Sequence, residues 1–173
     1  MEALTFWKMV TMDTDNLLER LINLLETHQI TYCVIGGQAV NAYVEPLVSL
    51  DLDIAVSVAQ LADVETLLAQ HFTVRRFPHS LNISLPDSDL RVQVQTDRRY
   101  GSFPERAAVR KVLGLTLPVA AVEDVLQGKI WAALDEGRRG SKRQKDLADI
   151  ARLVEAYPAL RDRLPLEIAR WLL

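Results

Sequence analysis

The chain of 173 residues holds a single cysteine, Cys33, which excludes an internal disulfide and a cysteine metal cluster and fits a reducing compartment. Cys33 lies inside an apolar run and reads as a buried structural thiol, not a nucleophile. Aromatic residues are scarce, at 6%, and none interleaves with the one strongly basic run, so single-strand base stacking is not expected there. No apolar stretch approaches a membrane span and no charged-then-apolar leader opens the sequence, so the expected location is the cytoplasm, with no membrane partner. The formal net charge of −3 makes no global demand for nucleic acid or an anionic surface. His28, His71 and His79 fall at no metal-cluster spacing, and Ser80 and Ser84 have no visible base for a hydrolase triad. A Rossmann fingerprint and a P-loop lysine motif are both lacking, which argues against a dinucleotide enzyme or a P-loop ATPase. There is no internal repeat and no low-complexity tract.

What is present is a pair of carboxylates in an apolar run, Asp51-Leu52-Asp53-Ile54-Ala55-Val56. It follows a glycine pair in Val34-Ile35-Gly36-Gly37-Gln38-Ala39. Strand alternation sends Asp51 and Asp53 to one face and Leu52 and Ile54 into a core. Two adjacent carboxylates repel each other and suit a divalent cation, above all Mg²⁺ with nucleotide phosphates. The glycine pair closes one apolar segment and opens a helix, where a backbone without Cβ can approach phosphate. A lone Asp-x-Asp is usually a strand end and a lone Gly-Gly a turn; the order and short spacing of the two point to a nucleotide site.

The remaining pattern alternates. Met1 to Asp13 is unpatterned. Thr14 or Asp15 is placed to cap a helix reaching His28, with Leu17, Leu18, Leu21, Ile22 and Leu25 as its stripe. Tyr32–Ile35 reads as a buried strand, Gln38–Val44 as a short helix, Pro46 as a loop and Leu50–Val56 as the acidic strand. Ser57 is placed to cap a helix containing Leu61, Val64, Leu67 and Leu68. Strand-like runs follow at Phe72–Phe77, Leu81–Leu85 and Leu90–Gln95, the last two joined by Pro86-Asp87-Ser88-Asp89 as a hairpin. Val112–Val119 reads as one further strand or edge segment. From Ala121 the pattern is helical, to about Gly137, then from Lys142 to about Ala156, then briefly after Pro165. The fold class is therefore mixed α/β or α+β, with a core over residues 14–119 and a C-terminal helical portion over 120–173 packed on it.

The run from Cys33 to Val56 resembles the polymerase-β-like nucleotidyltransferase superfamily. Within it the likeness is to the small prokaryotic AbiEii-type toxins. Glu123-Asp124 with Lys129-Ile130-Trp131-Ala132, and Lys142-Arg143-Gln144-Lys145-Asp146-Leu147-Ala148-Asp149-Ile150, are similar to that branch's later motifs. The resemblance covers Thr31 to Leu153. It implies a nucleotidyltransferase-like mixed sheet flanked by helices and transfer of a nucleoside monophosphate from an NTP to an RNA or protein acceptor. It further implies Mg²⁺ or Mn²⁺ on Asp51 and Asp53, Lys129 at the triphosphate, Gly36, Gly37, Ser49 and Lys145 as nucleotide contacts, and Asp146 beside the acceptor or orienting a lysine. A cognate antitoxin is the partner implied by the branch.

Two positions depart from the family pattern. The third carboxylate aligns with Gln93, which offers only a neutral carbonyl oxygen to a hard cation. Asp97 or Asp89 at the strand ends is the available substitute. The arginine that often stands four residues before the acidic pair is Leu47. Lys129 is expected on the flank of the stripe Val122, Leu126, Ile130 and Ala133, reaching water or phosphate. Arg138, Arg139, Lys142, Arg143 and Lys145 concentrate positive charge at a helix start, where Ser141 and Gln144 fit a capping box. Cations there oppose the helix dipole, and contact with an acceptor's phosphate backbone would account for them. Three readings stay open: an active transferase, a nucleotide-binding relative weakened by Gln93, and an antitoxin-like interaction module.

Overall fold

The computed structural model describes residues 2–13 and 16–172. Seven strands form one mixed sheet: β1 (Tyr32–Ile35), β2 (Asp51–Val56), β3 (Thr73–Phe77), β4 (Ser80–Ser84), β5 (Arg91–Gln95), β6 (Ala108–Val112) and β7 (Leu115–Val119), ordered β3-β4-β5-β2-β1-β7-β6. β2 is antiparallel to β1 and parallel to β5, so the acidic strand lies mid-sheet. Its alternation is as expected: Leu52 and Ile54 are fully buried, while Asp51 and Asp53 retain partial access to solvent. Val92 and Val94 of β5 point the same way as Leu52 and Ile54.

The helices are α1 (Ala3–Thr11), α2 (Leu17–Thr27), α3 (Gly36–Asn41), α4 (Leu61–His71), α5 (Val122–Leu134), α6 (Gly140–Ala156) and α7 (Leu166–Trp171). Leu17, Leu18, Leu21 and Leu25 of α2 join Val64 and Leu68 of α4 in the core beneath the sheet. At about 25 cal/mol per Å² of apolar surface, such a continuous stripe is the main force holding the layers together.

Four expectations need correction, and a fifth falls outside the described residues. Residues Met1 to Asp13 are not unpatterned throughout: α1 occupies most of them, anchored by Trp7, only 3% exposed, whose indole N–H donates to Ser49 O at 2.8 Å. Around that anchor Phe6, Met9 and Met12 are exposed, which blurs the periodicity. The cap at Thr14 or Asp15 falls outside the described residues, and the start of α2 is held by Asp13, whose Oδ1 accepts from Leu17 N–H at 2.9 Å. Ser57 caps nothing with its side chain, because a 3₁₀ turn at Val58–Gln60 precedes α4. Val112–Val119 is not one strand but half of the β6–β7 hairpin. Leu113 and Gly114 turn there with φ of 54° and 81°, the positive pair that a tight twisted hairpin requires. Ser141 and Gln144 form no capping box, since α6 already starts at Gly140 and no side chain caps it.

Candidate functional site

The sheet face that carries Asp51 and Asp53 opens into a cleft of about 520 Å³. Its floor comes from β2 and β5, with Asp51, Asp53 and Gln93. Gly36, Gly37 and Ser49 enter from the start of α3 and the loop before β2. Lys129 of α5 and Lys145 and Asp146 of α6 complete the set expected from the sequence, and Lys142 and Arg138 border the same space. Residues that are far apart in the chain thus share one cavity.

Gly36 has φ of +68°, and a Cβ there would collide with Asp53 Oδ2. The glycine therefore makes room for the carboxylate itself, a more direct reason than the expected room for phosphate. At Gly37 an added Cβ would meet only Ser49 Oγ, at 3.9 Å. Ser49 Oγ in turn accepts from Asp51 N–H at 3.3 Å, which fixes the start of the acidic strand.

Asp53 is the electrostatic centre of the floor. Burial pushes its carboxyl up to about 6; Lys129 pulls it back and Asp51 adds to the rise. Asp51 is more open, and Arg91 Nε lies 2.9 Å from its Oδ1. The parallel register sets Asp53 beside Gln93 and Asp51 beside Arg91. Gln93 thus stands next to Asp53 on the cleft floor. Neither Asp89 nor Asp97 lines the cleft; Asp97 instead caps a 3₁₀ turn and pairs with Arg99 at 2.7 Å.

Lys129 is not on an exposed flank. It is 8% exposed, with Nζ 3.1 Å from Asp146 Oδ1 and 2.8 Å from Asp149 Oδ2. Burial alone would lower its pKa, but the two carboxylates more than reverse this and hold it cationic. Arg138 pairs with Asp146 at 2.8 Å, and Arg152 with Asp149 at 2.9 Å. Asp146 and Asp149 are 2% and 4% exposed, so their i, i+3 spacing makes an internal clamp and not the usual solvated face. In the sequence, Asp149 is marked as a member of this clamp only by that spacing. Of the remaining basic run, Arg143 donates to the carbonyls of Ala133 and Asp135 at 2.9 and 2.8 Å, closing the end of α5. Neither Arg143 nor Arg139 lines the cleft.

The donor set fits a divalent cation in one specific way. Among the described residues there is no group of three His, Cys, Asp or Glu side chains able to hold a metal. Two carboxylates and an amide oxygen would bind an ion whose shell is completed by phosphate and water, as Mg²⁺ prefers. The raised carboxyl of Asp53 is the group that such an ion would relieve.

The fold is a mixed sheet flanked by helices, of the nucleotidyltransferase kind. Solved structures share it: the antibiotic-resistance factor ANT(2'')-Ia in complex with adenylyl-2''-tobramycin has a TM-score of 0.58 at 14% identity, over 85% of this chain and 96% of that one. The solution structure of ANT(2'')-Ia gives 0.57 at 12% identity, over 85% and 90%. The lincosamide antibiotic adenylyltransferase LnuA, lincomycin-bound, gives 0.51 at 14% identity, over 79% and 95%. No family model and no curated protein matches the chain.

Proposed function

We propose that the protein binds an NTP with a divalent cation, Mg²⁺ or Mn²⁺, and transfers its nucleoside monophosphate to an acceptor hydroxyl. The observation that carries this reading is the placement of Asp51 and Asp53 on one face of the cleft floor, with Lys142 and Lys145 bordering the same space. Asp51, Asp53 and the Gln93 amide oxygen would hold the ion, which when bound neutralises phosphate charge and orients the phosphoryl group. Lys142 and Lys145 supply point charges to the phosphates, and the clamped Lys129 adds positive potential from behind them. The acceptor oxygen forms its bond to the α-phosphorus as the bond to pyrophosphate breaks, and the hydroxyl proton leaves to solvent. The structural neighbours named above adenylylate antibiotics or hold an adenylylated one, which supports nucleotidyl transfer as the reaction class.

Gln93 favours a second reading, nucleotide binding with weakened turnover, because the floor has two carboxylates and a neutral amide. The toxin-like branch and its antitoxin partner rest on the sequence resemblance, and co-purification with the product of an adjacent gene tests them. Titration of Mg²⁺ or Mn²⁺ with ATP into wild type and into Asp51→Asn/Asp53→Asn tests the site. The double variant is expected to lose metal-dependent ATP binding, and equal affinity in two folded proteins overturns the proposal. Gln93→Asp is expected to tighten metal binding and raise transfer of labelled nucleotide, which separates the two readings.

A further inference from the structure

We infer that the outer part of the cleft floor is an acceptor subsite for a phosphate-bearing molecule, with Arg75 and Arg91 as its specificity-determining residues; this rests on the nucleotidyl-transfer reading and names its acceptor class. The register of four strands aligns one straight row of side chains. Asp53 pairs with Gln93, Gln93 with Asn82, and Asn82 with Arg75. A parallel row two residues along brings Arg91 to Asp51 and Ser84 to Thr73. Strand spacing of about 4.8 Å makes the first row roughly 14 Å long from the β2 backbone to the β3 backbone.

The chemistry of these rows changes abruptly past Asp53. Asn82, Ser84, Gln93, Arg75 and Arg91 line the cleft there, and no carboxylate from β3, β4 or β5 joins them. A cationic amino-sugar acceptor would meet two guanidinium groups there, and the carboxylate beside them, Asp51, is already paired with Arg91. A phosphate group would meet planar donor forks suited to its oxygens, with amides and a hydroxyl to bind the rest of a polyhydroxy molecule. Arg91 pairs with Asp51 at 2.9 Å, so it sits between the two functions and can turn to the acceptor when a cation takes Asp51. Arg75 lies beyond, its guanidinium 5.1 Å above the Phe77 ring, well placed for an anion carried on the far side of the acceptor hydroxyl. Elsewhere the exposed arginine of the same hairpin is already spent: Arg76 pairs with Glu65.

Ribose, glucosamine, ribose 5-phosphate and a 5′-phosphorylated trinucleotide are titrated into the full chain and followed by NMR shift changes, with and without a non-hydrolysable ATP analogue and Mg²⁺. A phosphate-bearing probe is expected to bind about tenfold tighter than ribose, and Arg75→Gln to remove about tenfold of that affinity while the ATP analogue binds as before. Binding of ribose 5-phosphate marks a small acceptor, and binding of the trinucleotide alone marks an RNA end. Ribose or glucosamine binding as tightly as the phosphate probes overturns the inference, as does an Arg75→Gln protein indistinguishable from wild type or the failure of both phosphate probes. If the ATP analogue fails to bind while ribose 5-phosphate binds in an Arg75-dependent way, nucleotidyl transfer falls and the anion subsite stands.

Discussion

At the residue scale, Asp53 ties the site to the stability of the molecule. Its carboxyl titrates at about 6 in the fold against an ordinary 3.8. The folded state therefore binds more protons than the unfolded state between those values, so stability falls as pH rises through that window. In buffer with a chelator, wild type is expected to melt at a lower temperature at pH 7 than at pH 5, while Asp53→Asn shows a flatter profile. Adding Mg²⁺ with ATP at pH 7 is expected to restore the loss in wild type only. A calorimetric series over pH checks this, and parallel profiles for the two proteins would remove Asp53 as the cause. Much of this residue's situation was legible in the sequence. Alternation around Leu52 and Ile54 set its face, and Gly36 upstream marked the site. That Gly36 exists to clear the Asp53 carboxylate was not legible, because the collision depends on how β1 and β2 pair.

At the scale of elements, the site depends on how α5 and α6 are locked together. Lys129 binds both Asp146 and Asp149, and Arg138 and Arg152 close the two ends of the set. Removing a partner from a buried charge set strands the others, which typically costs about 3–5 kcal/mol. Lys129→Ala is therefore expected to lower unfolding free energy by about that amount in urea, not to leave stability unchanged as an exposed flank lysine would. Lys129→Ala/Asp149→Asn is expected to recover part of the loss, since one stranded carboxylate is gone and the two changes are coupled. A single variant as stable as wild type would show that the clamp carries no net energy. The helices themselves were evident from their apolar spacing, but the clamp was hidden because its partners lie 17 and 20 positions apart on different helices. The β6–β7 hairpin was hidden for another reason. β6 is an edge strand whose Ala108, Val109, Arg110 and Lys111 are all exposed, so it lacks the alternation that identifies a strand.

At the scale of the whole molecule, α1 braces three distant parts of the sheet. Trp7 donates to Ser49 O before β2, Thr11 O accepts from Asp89 N–H at 2.7 Å before β5, and Gly114 of the β6–β7 turn packs against Leu4. A Cβ on Gly114 would press against Leu4, 3.0 Å from its N and 3.1 Å from its Cβ, so that turn favours glycine for its neighbour as well as for its φ. The brace reaches the chemistry through Ser49, which also accepts at its carbonyl from Gln38 Nε2 at 3.1 Å and holds Asp51 through its hydroxyl. Truncating a buried tryptophan costs about 3–5 kcal/mol, so Trp7→Ala is expected to lower stability by that order. It is also expected to weaken metal-dependent ATP binding, because the strand start carrying Asp51 loses its support. Trp7→Phe keeps most of the packing and loses one hydrogen bond, worth about 1 kcal/mol. The two variants, compared by urea melts and by ATP titration under conditions where both remain folded, separate packing from positioning. If Trp7→Ala binds ATP and Mg²⁺ as wild type does, α1 supports the fold without shaping the site, and its link through Ser49 carries no functional weight.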